Sequence, residues 1–176
     1  MSAHERQKKM TTGEQLLKAR EATRLMVRVD EECNRSVLLD LANRAENSSE
    51  RLLIANRLDL ERMPKTDPRY DRLILTAERI KSIAGDLRNL ADMKSPVGEV
   101  LAERTMPNGL HLKKIRVALG VVGVIYEARP NVTFDVFALC FRTGNVSVLK
   151  GGQDASHSNV AITALIHESL TDFGIS

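Results

Sequence analysis

The chain has 176 residues, 43% hydrophobic and 28% charged, enough for a real core in one modest globular domain or in the front half of a larger one. With two Tyr, four Phe and no Trp it has too few stacking surfaces for single-stranded nucleic acid, and its net charge of +3 is a small excess of 26 basic over 23 acidic side chains. No stretch approaches the ~20 apolar residues of a membrane-spanning helix, and Met1–Lys9 has no apolar run behind it. The expectation is a soluble cytoplasmic protein with reduced thiols at Cys33 and Cys140 and with neither nucleic acid nor membrane as a partner.

Composition changes near residue 97. Residues 1–97 carry most of the charge and only two of the ten glycines, Gly13 and Gly85, and read as helical. Leu16, Leu17, Ala19, Ala22, Leu25 and Met26 make one helical face, and Val37, Leu38, Leu39, Leu41 and Ala42 a second. A third helix passes through Leu52–Ala55, after which Pro64 and Pro68 mark a loop. Thr76 is placed to cap a further helix, with Glu78 suited to its positive end and Ile80, Ile83, Ala84, Leu87 and Leu90 as its buried stripe.

Residues 98–118 read as a β-hairpin with its tip at Asn108-Gly109, a pair that accepts positive φ at both positions. The nearly all-apolar run Gly120–Tyr126 predicts a strand covered on both faces of a parallel sheet. A helix through Thr133–Arg142 closes at Gly144, the usual residue just past a helix end, and Asn145–Leu149 is the next strand. Lys150-Gly151-Gly152 then leads into a last helix from about Ala155 to Leu170. Residues 119–176 are thus the first βαβα part of a Rossmann-like sheet, which makes the chain α/β.

Ligands of open α/β sheets bind beyond the carboxyl ends of the strands, so Tyr126–Asn131 and Lys150–Asp154 are the segments to question. Gly151 and Gly152 permit close backbone approach, the helix start after Asp154 offers amides and a positive dipole end, and Lys150 adds a cation, a set that suits a ribose or phosphate. The same residues also describe an ordinary turn. Arg129 has the fork to clamp a carboxylate or phosphate, or it pairs with Glu127 across the turn. Asn131 either donates to an oxyanion or, the favoured reading, caps the next helix. His157 and His167 do not share a helix face, so no metal is expected, and the apolar neighbours of Cys140 predict a buried thiol rather than a nucleophile.

Met106–Leu110, Lys114–Val117, Leu119–Thr133, Thr143-Gly144-Asn145, Lys150-Gly151-Gly152 and His157-Ser158-Asn159 together closely resemble the γ-glutamyl phosphate reductase (glutamate-5-semialdehyde dehydrogenase) family. That resemblance implies an aldehyde dehydrogenase-like fold: N-terminal helices, a hairpin belonging to an oligomerisation element, and a partial NADP-binding sheet. It implies reduction of L-glutamyl 5-phosphate by NADPH to L-glutamate 5-semialdehyde and phosphate, in proline biosynthesis, through a cysteine thioester. By position Lys150 is carried over to the adenosine ribose, although many relatives have Arg there. Gly151 and Gly152 line its turn, and Tyr126, Arg129 and Asn131 belong to the floor under the nicotinamide half. Family members run much longer than this chain, so the nucleophilic cysteine and the catalytic domain are expected beyond Ser176 and the chain alone is expected to be inactive. A reductase portion of a pyrroline-5-carboxylate synthase and a noncatalytic nucleotide-binding or interaction module are the alternatives.

Overall fold

The computed structural model describes residues 10–175; Met1–Lys9 and Ser176, on which the expectations about the two chain ends rest, lie outside the described residues. Among the described residues seven helices and four strands follow one another: α1 (Thr12–Met26), α2 (Glu31–Asn47), α3 (Ser49–Leu60), α4 (Tyr70–Leu73), α5 (Ala77–Asp92), β1 (Val100–Thr105), β2 (His111–Ile115), β3 (Val121–Tyr126), α6 (Pro130–Arg142), β4 (Val146–Gly151) and α7 (Ser156–Asp172), the last entered through a 3-10 turn at Gln153–Ala155.

The core is helical. α2 packs against α5, α6 and α7, burying Val37, Leu38, Leu41, Ala42 and Ala45 against Ile80, Ile83, Ala84 and Leu87 of α5 and Phe134, Phe137 and Phe141 of α6. Thr76 caps α5 as predicted, its Oγ1 accepting from the Arg79 amide at 3.1 Å. Leu39 and Leu90 of the predicted stripes are only partly buried, while Ala45 and Ala91 complete them.

Two predicted apolar faces are not covered. In α1 only Ala19 is buried, and Leu16 and Leu17 remain 49% and 61% exposed, because the helix rests on β4 and β3, two strands too few to roof a whole stripe. For the same reason β3 is not the doubly covered strand expected: none of its residues is buried and Ile125 is 85% exposed. β4, which takes most of the packing from both α1 and α6, is partly buried along nearly its whole length.

β1 and β2 pair antiparallel as a hairpin whose side chains are almost all exposed. Its tip differs from expectation. Only Gly109 takes positive φ, at 84°, because Pro107 has no N–H to donate to Leu110 across a two-residue turn at Asn108-Gly109, and its φ near −65° suits the first central position of a turn one residue earlier. The tip is instead a type I-like turn in which Gly109 N donates to Met106 O at 2.9 Å and Met106 N donates to Leu110 O at 2.9 Å. α6 ends as predicted at Gly144, φ 71°, where Asn145 N donates to Cys140 O at 2.8 Å and Gly144 N to Phe141 O at 3.0 Å, the double bond pattern of a Schellman cap. The basic last turn of α6 is not solvated: Arg142 is 3% exposed and donates to Asn34 Oδ1 at 3.2 Å, to Glu31 Oε1 at 2.5 Å and to the Met93 carbonyl, tying α6 to α2 and to the exit of α5.

Candidate functional site

β3 and β4 run parallel with Val121 opposite Val146 and Tyr126 opposite Gly151, so both strands deliver their carboxyl ends to one rim. The turns that follow touch each other. A Cβ on Gly152 would sit 3.4 Å from Glu127 Cα and 3.6 Å from the Ala128 amide. This is the edge on which a ligand of an open α/β sheet is held, and it brings together Tyr126, Lys150, Gly151 and Gly152.

Within the rim a chain of hydroxyl and amide groups fixes the geometry. Thr133 Oγ1, fully buried, donates to Asn159 Oδ1 at 2.9 Å. Having spent its one proton there, it accepts from Tyr126 Oη at 2.7 Å. Burial pushes the Tyr126 phenol above its ordinary value, and the bond to Thr133 works against that rise. The Asn159 amide lies against Gly151, where a Cβ would come within 2.2 Å of Asn159 Nδ2. The two glycines therefore serve close approach, as the sequence suggested, but to the protein's own groups: Gly151 to Asn159 and Gly152 to the neighbouring turn. Lys150 is exposed at the strand end, and its Nζ, with no carboxylate within 4.0 Å among the described residues, donates only to Gly151 O at 3.1 Å.

The N-terminus of α7 is already engaged. Asp59, a carboxylate of α3 only 1% exposed, accepts from the amides of His157 at 3.0 Å and Ser158 at 2.8 Å. An internal anion thus fills the positive helix end that the sequence offered to a phosphate. Asn56, one turn earlier on α3 and also 1% exposed, donates to Ser158 Oγ at 3.1 Å and Leu73 O at 2.8 Å, and accepts from Leu75 N at 2.8 Å. Asp154, at the entry to α7, pairs with Arg69 Nη1 at 2.8 Å. Sequence reading missed this group. The signal was present, since Leu52, Asn56 and Asp59 stand at helical spacing on the buried face of α3, which places two polar side chains where apolar ones belong.

Arg129 and Asn131 turn away from Lys150. Both line a cleft of about 350 Å³ between α5 and the start of α6, together with Arg79, Ser82, Asp86 and Asp135. Asn131 does not cap: Pro130 opens the helix, the cap position falls to Arg129, and Asn131, inside the first turn, donates to Asp135 Oδ2 at 3.2 Å. Nor does Arg129 pair with Glu127; no carboxylate lies within 4.0 Å of its guanidinium among the described residues. Burial raises the Asp135 carboxyl above its usual range, the Asn131 bond opposes this, and the nearby charge of Asp86 adds to it. Cys140 is buried, as its neighbours predicted, and burial pushes its thiol up. Cys33 is also raised, by burial first and then by Asp30.

No family model matches the chain. It is 56% identical over 162 residues to a gamma-glutamyl phosphate reductase of Chlorobium phaeobacteroides, an alignment covering 92% of this chain and 39% of that protein. With a protein of the same name from Chlorobaculum parvum it shares 56% identity over 154 residues, 88% of this chain and 37% of the relative. The chain thus spans about two fifths of the length of the curated relatives it matches. The crystal structure of the gamma-glutamyl phosphate reductase of Thermotoga maritima superposes with a TM-score of 0.84 at 32% identity, over 89% of this chain and 38% of that one. A probable aldehyde dehydrogenase from Listeria monocytogenes superposes with a TM-score of 0.65 at 12% identity over 90% of this chain and 33% of that one, a likeness of fold alone. The fold is the one shared by these reductases and aldehyde dehydrogenase. No described helix is long and apolar enough to cross a membrane.

Proposed function

We propose that this chain is part of a γ-glutamyl phosphate reductase, an enzyme reducing L-glutamyl 5-phosphate with NADPH to L-glutamate 5-semialdehyde and phosphate in proline biosynthesis, and that it contributes the cofactor rim. The observation that carries the reading is the meeting of the two turns after β3 and β4 at one edge, in a chain more than half identical to proteins of that name. Residues 1–97 are then the helical frame of the cofactor domain, 98–118 an arm for association between copies in the cytoplasm, and 119–176 the first unit of the cofactor sheet.

The residues present fit the adenosine end of NADPH better than its pyrophosphate. Lys150 is an exposed ammonium at a strand end with no carboxylate partner among the described residues, suited to a ribose or its phosphate. The α7 N-terminus is closed to the pyrophosphate because Asp59 already takes two of its amides. Tyr126, held by Thr133, and Gly151 and Gly152, packed against Asn159 and Glu127, make a rigid edge for the cofactor to lie along. NADPH supplies the hydride when bound. Neither cysteine here is the acyl carrier of the reaction: Cys140 is buried, and both thiols are raised, which disfavours the thiolate.

Calorimetric titration of NADPH into the chain and into Lys150→Ala tests the assignment. The substitution should weaken binding about tenfold, the loss expected for one charge-assisted hydrogen bond. Identical isotherms would remove Lys150 from the site, and no binding by the unaltered chain at millimolar NADPH would overturn the cofactor reading.

A further inference from the structure

The cleft between α5 and the start of α6 is lined by Arg72, Arg79 and Arg129 and by Asp71, Asp86 and Asp135, and among the described residues only Arg79 and Asp71 of this set pair, at 3.4 Å. Arg129 enters from the turn after β3, Asp86 from α5 and Asp135 from the second turn of α6. None of the three has an ion-pair partner within 4.0 Å among the described residues. Arg79 is committed to Asp71 and to the carbonyls of Asp71 and Ile74 within the same lining, while Arg72 lines the space with no ion-pair partner within 4.0 Å among the described residues. Asp135 is held instead by Asn131, which donates to its Oδ2 at 3.2 Å.

We infer that this cleft seats the α-amino-acid end of the substrate, with Arg129 on the α-carboxylate and Asp86 and Asp135 on the α-ammonium. The inference rests on the function proposed above and adds to it the residues that tell an amino acid from other acids. Two carboxylates close enough to feel each other's charge, neither of them ion-paired among the described residues, offer the acceptors that a ligand ammonium needs, and a guanidinium fork matches a carboxylate. The volume, about 350 Å³, falls in the range of small-molecule sites, roughly 300–1,000 Å³. Burial raises the Asp135 carboxyl, the Asn131 bond opposes the rise and the nearby Asp86 charge adds to it. Arg129 and Asn131 thereby belong to substrate recognition, and Lys150 and Tyr126 to the cofactor.

The test is an NMR titration of the full chain with three probes: L-glutamate, glutarate, which lacks the ammonium, and 4-aminobutyrate, which lacks the α-carboxylate. L-Glutamate should shift the amides around Asp86, Arg129 and Asp135 and bind about tenfold more tightly than either analogue, the size of one lost charged contact. Asp135→Asn should erase the advantage over glutarate, and Arg129→Gln the advantage over 4-aminobutyrate; Asp86→Asn repeats the first arm should Asp135→Asn not fold. Equal affinity for the three probes, or discrimination unchanged in both variants, would overturn the inference. NADPH titrated into the same samples separates the two ideas: cofactor binding without amino-acid discrimination sinks this inference alone, and discrimination without cofactor binding sinks the cofactor reading alone.

Discussion

Replacing Asp59 offers the sharpest check on how the rim is supported. Its carboxylate is 1% exposed and accepts from two amides at the start of α7, His157 N at 3.0 Å and Ser158 N at 2.8 Å. Bonds to a charged acceptor contribute about 1.5–3 kcal/mol each, and loss of a cap usually costs about 1 kcal/mol. Asp59→Ala removes both bonds and leaves two amides in a nearly closed space, so a loss of about 3 kcal/mol is expected. Asp59→Asn keeps one acceptor oxygen but sets an NH₂ against the second amide, and should lose about half as much. Urea unfolding reads both, the midpoint falling with the slope unchanged. An alanine variant within ~0.5 kcal/mol of the parent, the range of an ordinary surface substitution, would refute the view that Asp59 holds this helix. So would equal losses from alanine and asparagine.

Two further outcomes follow from other parts of the molecule. Gly151→Ala places a Cβ 2.2 Å from Asn159 Nδ2, so Asn159 must move and release Thr133; the cost should be about 1–3 kcal/mol, and in a double-mutant cycle Asn159→Ala should recover most of it, whereas additive losses would show that the clash lies elsewhere. The Arg69 guanidinium holds the Asp67 carboxyl down at about 2, with the Arg69 amide adding to the effect, so this contact stabilises the 64–70 turn above the ordinary aspartate range and is lost as pH falls toward the depressed value; a carboxyl ¹³C titration of Asp67 should shift back toward 3.8 in Arg69→Ala, and an unchanged midpoint would deny the pair.

Local features were legible because local chemistry decides them. Thr76 capped α5, Gly144 ended α6, and the hairpin and both parallel strands fell where turn residues and β-branched runs placed them. The rest depended on partners distant in the chain. Asn131 looked like a cap until Pro130 moved the helix start back, and Pro107 altered a turn that Asn108-Gly109 alone would have set. Nothing near His157 announces that its amide is satisfied by a carboxylate 98 residues earlier. The faces of α1 and β3 read as buried because periodicity reports which side is apolar and says nothing about whether a neighbour covers it. For the same reason Arg129 and Lys150 read as neighbours on one rim, although Arg129 lines the cleft beside α5 and the Lys150 ammonium meets only Gly151 O.

The β1–β2 hairpin stands almost clear of the helical body, rooted where Val97 and Ala118 close around Gly144. Its pairing is nearest-neighbour in the chain, so little loop entropy opposes its formation and it needs no help from the core to assemble. Selection can therefore redesign the arm without disturbing the frame. Charges such as Glu103 and Lys113, which pair with each other at 3.0 Å, answer to whatever surface they meet rather than to the stability of the protein that carries them.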